Sequence, residues 1–278
     1  MKRKLLLITL IFLFISGLFA QTRDFGKILL FQTNEVLNSR CSDIDELSDF
    51  LGEAQTIVSD FNKADELGDG FIFFAFRPVK KSAVWFYLPN ADEKQLEQLK
   101  TKLLSITPCT VQGGPVAIAI SNLEDPAQQL TFPKEWMAAV EESGNNGLEV
   151  SDLLNRIWPS EITKAEKTNL LKLIKKFKKE KDFSNESLQK YSDIVEYAVL
   201  SDIIKISINS ECWPEEVSNT EYGSMFMLAY ICGNLEKQLN SGEYANAQEE
   251  GIKFELEKYK QLKKIDKNIS ISFFEDML

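Results

Sequence analysis

Histidine is absent from all 278 residues, and that absence restricts the chemistry more than any other feature of the composition. Ser-His-Asp and Cys-His nucleophilic catalysis, histidine-ligated zinc and imidazole-based pH switching are closed to this chain whatever its fold. Cysteine is scarce, with four residues, too few for a disulfide scaffold of this length. Long apolar runs are missing after the first 20 residues. The longest later one, Met225 to Cys232, falls far short of the roughly 20 residues that cross a bilayer. Basic charge is also in deficit, 32 lysines and arginines against 42 acids for a net charge of −10, so nucleic acid is not an expected partner. Gly113-Gly114 lacks the GxxxxGK[ST] pattern and the following helix of a phosphate loop, and reads as a tight turn. Asp65 to Gly70 does not match a twelve-residue calcium loop. No cofactor, no metal and no catalytic residue is expected on these grounds.

What is present begins with an address. Lys2, Arg3 and Lys4 form a basic start, Leu5 to Phe14 is almost wholly apolar, and Ser16, Gly17 and Ala20 are small residues ahead of Gln21. That is the pattern of a secretory signal peptide over 1–20, cleaved after Ala20. No cysteine follows it, so a lipoprotein anchor is not expected. The expectation is a periplasmic or secreted protein with no transmembrane segment after cleavage. Export would put Cys41, Cys109, Cys212 and Cys232 in an oxidising compartment. Two bridges then pair within domains, Cys41 with Cys109 and Cys212 with Cys232; the alternative is burial as free thiols, which suits Cys232 on an apolar helix face.

The rest of the chain changes period halfway. Phe71 to Phe76 and Ala83 to Leu88 are aromatic and β-branched runs about a turn at Arg77 to Lys81, which predicts a hairpin. Its aromatics fall on both faces, so either helices cover both or one face binds something. Asp92 to Leu104 has helical spacing with acids in its first turn, Asp43 to Asn62 likewise, and Val116 to Ile120 reads as a further strand. Gly26 to Phe31 is a candidate strand.

After position 150 the pattern is helical. Thr163 with Glu166 makes a capping box for a helix to about Lys179 with lysines on one face, a solvated face or one that meets an acidic partner or lipid. A second helix is expected from Phe183-Ser184-Asn185 to about Ile206, a third and central one through Tyr222 to Leu239, and a fourth from Tyr244 to Lys264. Ile269, Ile271 and Phe273 alternate with serines, which predicts a short strand or docking tail. Ser143-Gly-Asn-Asn-Gly147 is the best linker. The expected class is therefore α+β: an N-terminal domain over 21–147 with a small antiparallel sheet and helices, then a C-terminal α-helical bundle over 148–278.

The order hairpin, acid-capped helix, Pro108-x-x-Val111-x-Gly113-Gly114-Pro115-Val116 and a last alternating strand resembles the ββαβ C-terminal module of TonB-type energy transducers, over roughly residues 66 to 122. The Tyr-Pro pair typical of that family is absent, as is its proline-rich spacer. The resemblance implies a ββαβ topology, and with it recognition of an envelope protein or peptidoglycan, but no functional residue.

One further cluster stands out. Glu211, Glu215 and Glu216 flank Trp213, with Glu221 just beyond. Carboxylates beside an aromatic platform suit either a partner surface or a carboxylate-dependent glycan hydrolase. The expectation is an exported, non-enzymatic binding protein of the bacterial cell envelope, with the hydrolase as the alternative.

Overall fold

The computed structural model describes residues 24–62, 67–142 and 149–278. The expected signal segment, the linker at Ser143 to Gly147, and Asp65 and Glu66 lie outside the described residues. The chain forms two compact units that divide after Ser160.

In the first unit the elements run β1 (Lys27–Leu30), α1 (Asn34–Arg40), α2 (Ile44–Phe61), β2 (Phe71–Arg77), β3 (Lys81–Tyr87), α3 (Glu93–Leu103), β4 (Val116–Ser121), α4 (Lys134–Glu142) and α5 (Val150–Ile157). The sheet is antiparallel with order β1-β4-β2-β3, so the fold is α+β as the period change predicts. The helix starts follow from capping. The Asp43 side chain accepts from the N–H of Asp45, and that of Asp92 from Lys94 and Gln95, which satisfies donors that a helix cannot satisfy internally. The hairpin connection holds Val79 at φ 64° and Lys80 at φ 53°. Left-handed backbone is costly for a β-branched residue.

Strand β2 is buried at every position. Its residues Ile72, Phe74 and Phe76 join a core with Phe50, Leu51 and Val58 of α2 and Leu99 and Leu103 of α3. Phe71, Phe73 and Ala75 point the other way, into a second core with Trp136 of α4 and Leu153 and Leu154 of α5. Alternation across a strand sends neighbours to opposite faces, so a strand apolar at every position requires two covers. The second cover is aromatic. Trp136 stacks on Phe132 at 5.8 Å and meets Phe73 at 5.2 Å and Trp85 edge-on at 5.5 Å.

Arg77 ends this strand with 2% of its surface exposed. Its guanidinium donates to the Trp158 carbonyl at 2.5 Å, to Asn155 Oδ1 at 2.8 Å, to the Leu154 carbonyl at 3.3 Å and to Ser160 Oγ at 2.5 Å. It also lies 5.1 Å from the Trp158 ring centroid. A fixed fork of donors thus satisfies the carbonyl end of α5, where helix carbonyls lack internal partners and the dipole favours a cation. This moves the domain boundary. The linker composition places it at 147, whereas α5 belongs to the sheet domain and the units part after Ser160.

The second unit is a helical bundle: α6 (Lys164–Lys179), α7 (Asn185–Gln189), α8 (Ser192–Leu200), α9 (Glu215–Ser218), α10 (Gly223–Ser241), α11 (Gln248–Ile265) and α12 (Ser272–Glu275). The Thr163–Glu166 capping box opens α6. Leu170, Ile174 and Phe177 of α6 are buried and its lysines lie on the other face. Central α10 stops at Gly242, whose φ of 73° suits glycine. Helices α10 and α11 touch at two glycines. A Cβ on Gly233 would lie 2.2 Å from the Glu250 carbonyl oxygen, and one on Gly251 would lie 2.6 Å from the Tyr230 ring.

Three helical expectations change. The helix expected from Asn185 to Ile206 is two helices and ends at Leu200, because Ser201 Oγ accepts the N–H groups of Ile203 and Ile204 and turns the chain away. The fourth helix begins at Gln248, not Tyr244. The alternating Ile269, Ile271 and Phe273 do not form a strand: α12 forms there and buries Phe274 against Phe226 and Tyr259.

Replacing Arg77 by Met leaves the carbonyl end of α5 without its donors in a buried place. We expect Arg77→Met to lower stability by about 3 kcal/mol in urea unfolding of the full chain, with Arg77→Lys recovering only part because a single ammonium cannot copy the fork. A loss below about 0.5 kcal/mol would show that α5 is held by its apolar face alone.

Candidate functional site

The helical unit carries a ladder of buried polar side chains on one stripe of α10. Tyr230, Asn234 and Gln238 recur every fourth residue, which puts them on one face, and each is at most 1% exposed. Gln238 Oε1 accepts the N–H of Lys205 at 3.1 Å while its Nε2 donates to the Lys205 carbonyl at 2.7 Å. Tyr230 donates its hydroxyl to the Ser207 carbonyl at 2.8 Å, and Asn246 Oδ1 accepts the Ser207 N–H at 3.0 Å. Asn234 ties the set together, donating to Asn246 at 2.8 Å and accepting from Gln238 at 2.8 Å and from the Ala247 N–H at 2.9 Å. The result is a satisfied network that holds the chain after α8 by its backbone.

Two open grooves flank that stretch. One, of about 760 Å³, lies between α7, α8 and α10 and is lined by Leu188, Val195, Val199, Leu200 and Leu228 among others. The second, of about 320 Å³, runs along Ser201 to Ile208 over Ile231 of α10. Val199 lines both and is 70% exposed, and Ile208 is 46% exposed. Other aliphatic side chains of this unit are exposed too, Ile265 at 59% among them, but Val199 and Ile208 are the ones that line these grooves.

Beneath lies an uncompensated acid. Glu255 of α11 is 0% exposed, and neither carboxylate oxygen has a hydrogen-bond partner among the described residues. Burial pushes its carboxyl up to about 9, with the nearby Cys212 a smaller cause in the same direction. Lys258, one turn on, is likewise 0% exposed but fully employed. Its ammonium donates to the carbonyls of Phe177 and Glu180 and to Gln261 Oε1, closing the end of α6, and burial pulls it down to about 8.

The acidic cluster is not assembled as a glycosidase would need. Glu216 accepts the N–H of Phe273 at 2.8 Å and so fastens α12. Glu215, in the first turn of α9, accepts from Asn219 at 3.4 Å. Glu211 is exposed, and Trp213 is half-buried rather than a free platform. Neither of the two grooves is lined by any of the four. Among the described residues no group of three or more acidic or cysteine side chains is placed to hold a metal ion, and no helix is long and apolar enough to cross a membrane.

The cysteines depart from the bridged expectation: all four are free and buried. Cys41 and Cys109 lie close enough to hold each other's titration apart, Cys41 lowered and Cys109 raised. The other expected pair is not brought together. Cys212 accepts the Asn209 N–H at 3.3 Å and neighbours Tyr230 and Glu255, whereas Cys232 neighbours Lys258. Burial raises Cys232 well above a usual thiol, as for a side chain packed in the core.

Sequence reasoning missed the ladder and the grooves. The spacing of Tyr230, Asn234 and Gln238 was the available signal, but polar residues on a helix read as its solvent face until the neighbouring chain is known. Compared with family models, curated proteins and solved structures, the chain has no match.

The acid at Glu255 gives a pH dependence. The unfolded chain releases this proton near the ordinary 4.5, whereas the folded chain keeps it to about 9. Between those values folding takes up a proton, so stability falls as pH rises, by about 1.4 kcal/mol per unit for this one group. Glu255→Gln should flatten that fall between pH 6 and 8.5 in unfolding of the full chain. Glu255→Met should flatten it and also raise stability at pH 8 by about 1 to 3 kcal/mol, since it removes the orphaned oxygens. An unchanged slope in both variants would place the titration elsewhere.

Proposed function

We propose that this is an exported, non-enzymatic binding protein of the bacterial cell envelope, taking an envelope protein or peptidoglycan as partner through its helical unit. The observation that carries the reading is the open apolar surface around Val199, 70% exposed between two grooves. Supporting it, the polar residues beneath that surface are spent on holding backbone rather than aimed into a cavity, which is how a docking surface is stiffened. The TonB-like order of the first unit agrees with an envelope role, as does the signal pattern of residues 1–20. The hydrolase alternative has no specific support, because Glu216 is committed to the backbone of Phe273.

The test is capture of the tagged full chain from its own envelope after mild crosslinking, run beside Val199→Glu. One stoichiometric partner, reduced at least tenfold in the variant, is the expected result, with intact mass showing a chain that starts at Gln21. Capture that Val199→Glu leaves unchanged would remove this surface from the reading, and a chain retaining residues 1–20 in the cytoplasm would overturn export.

A further inference from the structure

The chain between α8 and α9 has one satisfied edge. Lys205 and Ser207 send both N–H and C=O toward Gln238 and Tyr230 of α10 and Asn246 of the connection to α11, which receive them at 2.7 to 3.1 Å. Bonds to the same side at residues i and i+2, with no turn or bend over 204–209, are the signature of extended backbone. In such a chain the intervening residues turn their N–H and C=O to the opposite edge. There the Ile206 N–H and C=O and the Ile208 N–H have no partner among the described residues. The stretch is extended and held on one side by side chains, while its other side is without partners among the described residues.

The side chains along it add a second feature. Ile204 is 4% exposed and anchors the stretch, whereas Ile208 is 46% exposed. Together with Val199 and Ile231 they line the groove of about 320 Å³ that runs along the same residues. An exposed edge carrying aliphatic residues at alternate positions is what proteins usually blunt with charge, proline or a covering element. No proline lies within 201–213, and the nearest charge, Lys205, turns its ammonium back to the Asp202 carbonyl at 3.1 Å. The edge is rigid as well, since four bonds to α10 and its neighbours fix it, so little ordering entropy remains to be lost on binding.

We propose that Ile204 to Ile208 is a strand-addition site: an extended segment of a partner protein, apolar at alternate positions, pairs with the Ile206 and Ile208 backbone and lays its side chains against Val199 and Ile208. The occupant follows from the unpaired groups. A partner helix satisfies its own backbone and a glycan chain offers no regular donor and acceptor ladder, whereas an extended peptide supplies alternating N–H and C=O at the spacing this edge presents. This inference rests on the binding reading above and names the class of partner and the bonds it makes.

Ile206→Pro tests it. Proline removes the outward N–H of Ile206, breaks no hydrogen bond among the described residues and favours extended backbone at Lys205 before it. It also replaces a side chain that lines the groove, so Ile206→Ala is run beside it and should keep most of the affinity that Ile206→Pro loses. The full chain is screened against an array of seven-residue peptides with Val, Ile or Phe at alternate positions. The best binder is then resynthesised with N-methyl groups at each amide in turn. We expect alternate N-methyl peptides to lose at least tenfold in affinity while those between keep theirs, Ile206→Pro to lose tenfold or more, and the Ile206 and Ile208 amides to gain protection from hydrogen exchange on binding. Should Ile206→Pro fail to fold, the N-methyl series on the unaltered protein decides alone.

No binding peptide, or an even response along the N-methyl series, would overturn strand addition. A captured envelope partner lost in Val199→Glu but kept in Ile206→Pro would overturn it while leaving the binding reading intact. No partner sensitive to Val199→Glu would remove both. A dimer in sedimentation that Ile206→Pro dissolves would reassign the edge to a second copy of this chain and overturn the partner proposed.

Discussion

The helical unit depends on how closely α10 and α11 approach. At Gly233 and Gly251 the two helices meet at distances that admit no Cβ, the first against a backbone carbonyl that cannot move aside cheaply. That approach fixes the rotation of α10 about its axis, and with it the direction in which Tyr230, Asn234 and Gln238 point. It also brings the start of α11 under Asn234, which caps the Ala247 N–H. The stretch after α8 then has a ready-made set of donors and acceptors, and it lies extended because side-chain amides take the place of a neighbouring strand. The close approach at Gly233 and Gly251, the latter directly against the Tyr230 ring, thus sets the ladder that holds this stretch.

Buried cations solve a related problem in both units. Arg77 closes the carbonyl end of α5 and Lys258 the carbonyl end of α6. Backbone carbonyls are among the acceptors of both. Each is surrounded by backbone oxygens and an aromatic face, Trp158 for the arginine and Phe177 for the lysine. Desolvation of a charge is costly, and several charge-assisted hydrogen bonds to helix ends offset it while locking the helix in place. The two residues differ as their chemistry requires. The arginine spreads its fork over Leu154, Asn155, Trp158 and Ser160 among its acceptors, and the lysine, a point donor, shifts downward to about 8. Glu255 is the counter-example, an acid buried with nothing to offset it, held neutral by its surroundings.

Local signals were legible and distant ones were not. Asp43, Asp92 and the Thr163–Glu166 pair mark helix starts because capping needs partners only three residues away. The hairpin and the need for cover on both faces of Phe71 to Arg77 follow from alternation. By contrast, the end of α8 was misjudged by periodicity: Ile203 and Ile206 continue the helical spacing, but Ser201 and Gln238 take the backbone bonds that a helix would have used. The boundary misplaced at 147 has the same origin, since Arg77 reaches Ser160 across 83 residues. For the candidate site, Trp213 and its acids drew notice as composition does, whereas Val199 and Ile208 look like core residues until no core is found over them.

The sequence by itself determined the α+β class, the one-sided helices, the absence of histidine-based chemistry and the capping box at Thr163 and Glu166, since each depends on residue identity or on spacing within a few turns. Only the tertiary structure decided which helices cover the second face of the sheet, that the four cysteines are buried, that the Glu255 carboxylate has no partner among the described residues, and that Ile204 to Ile208 runs extended along α10. The physical reason is range. A period or a cap is satisfied by neighbours in the chain, while burial and hydrogen-bond partnership are settled between distant residues, such as Lys205 with Gln238, 33 positions apart, and Phe177 with Lys258, 81 apart.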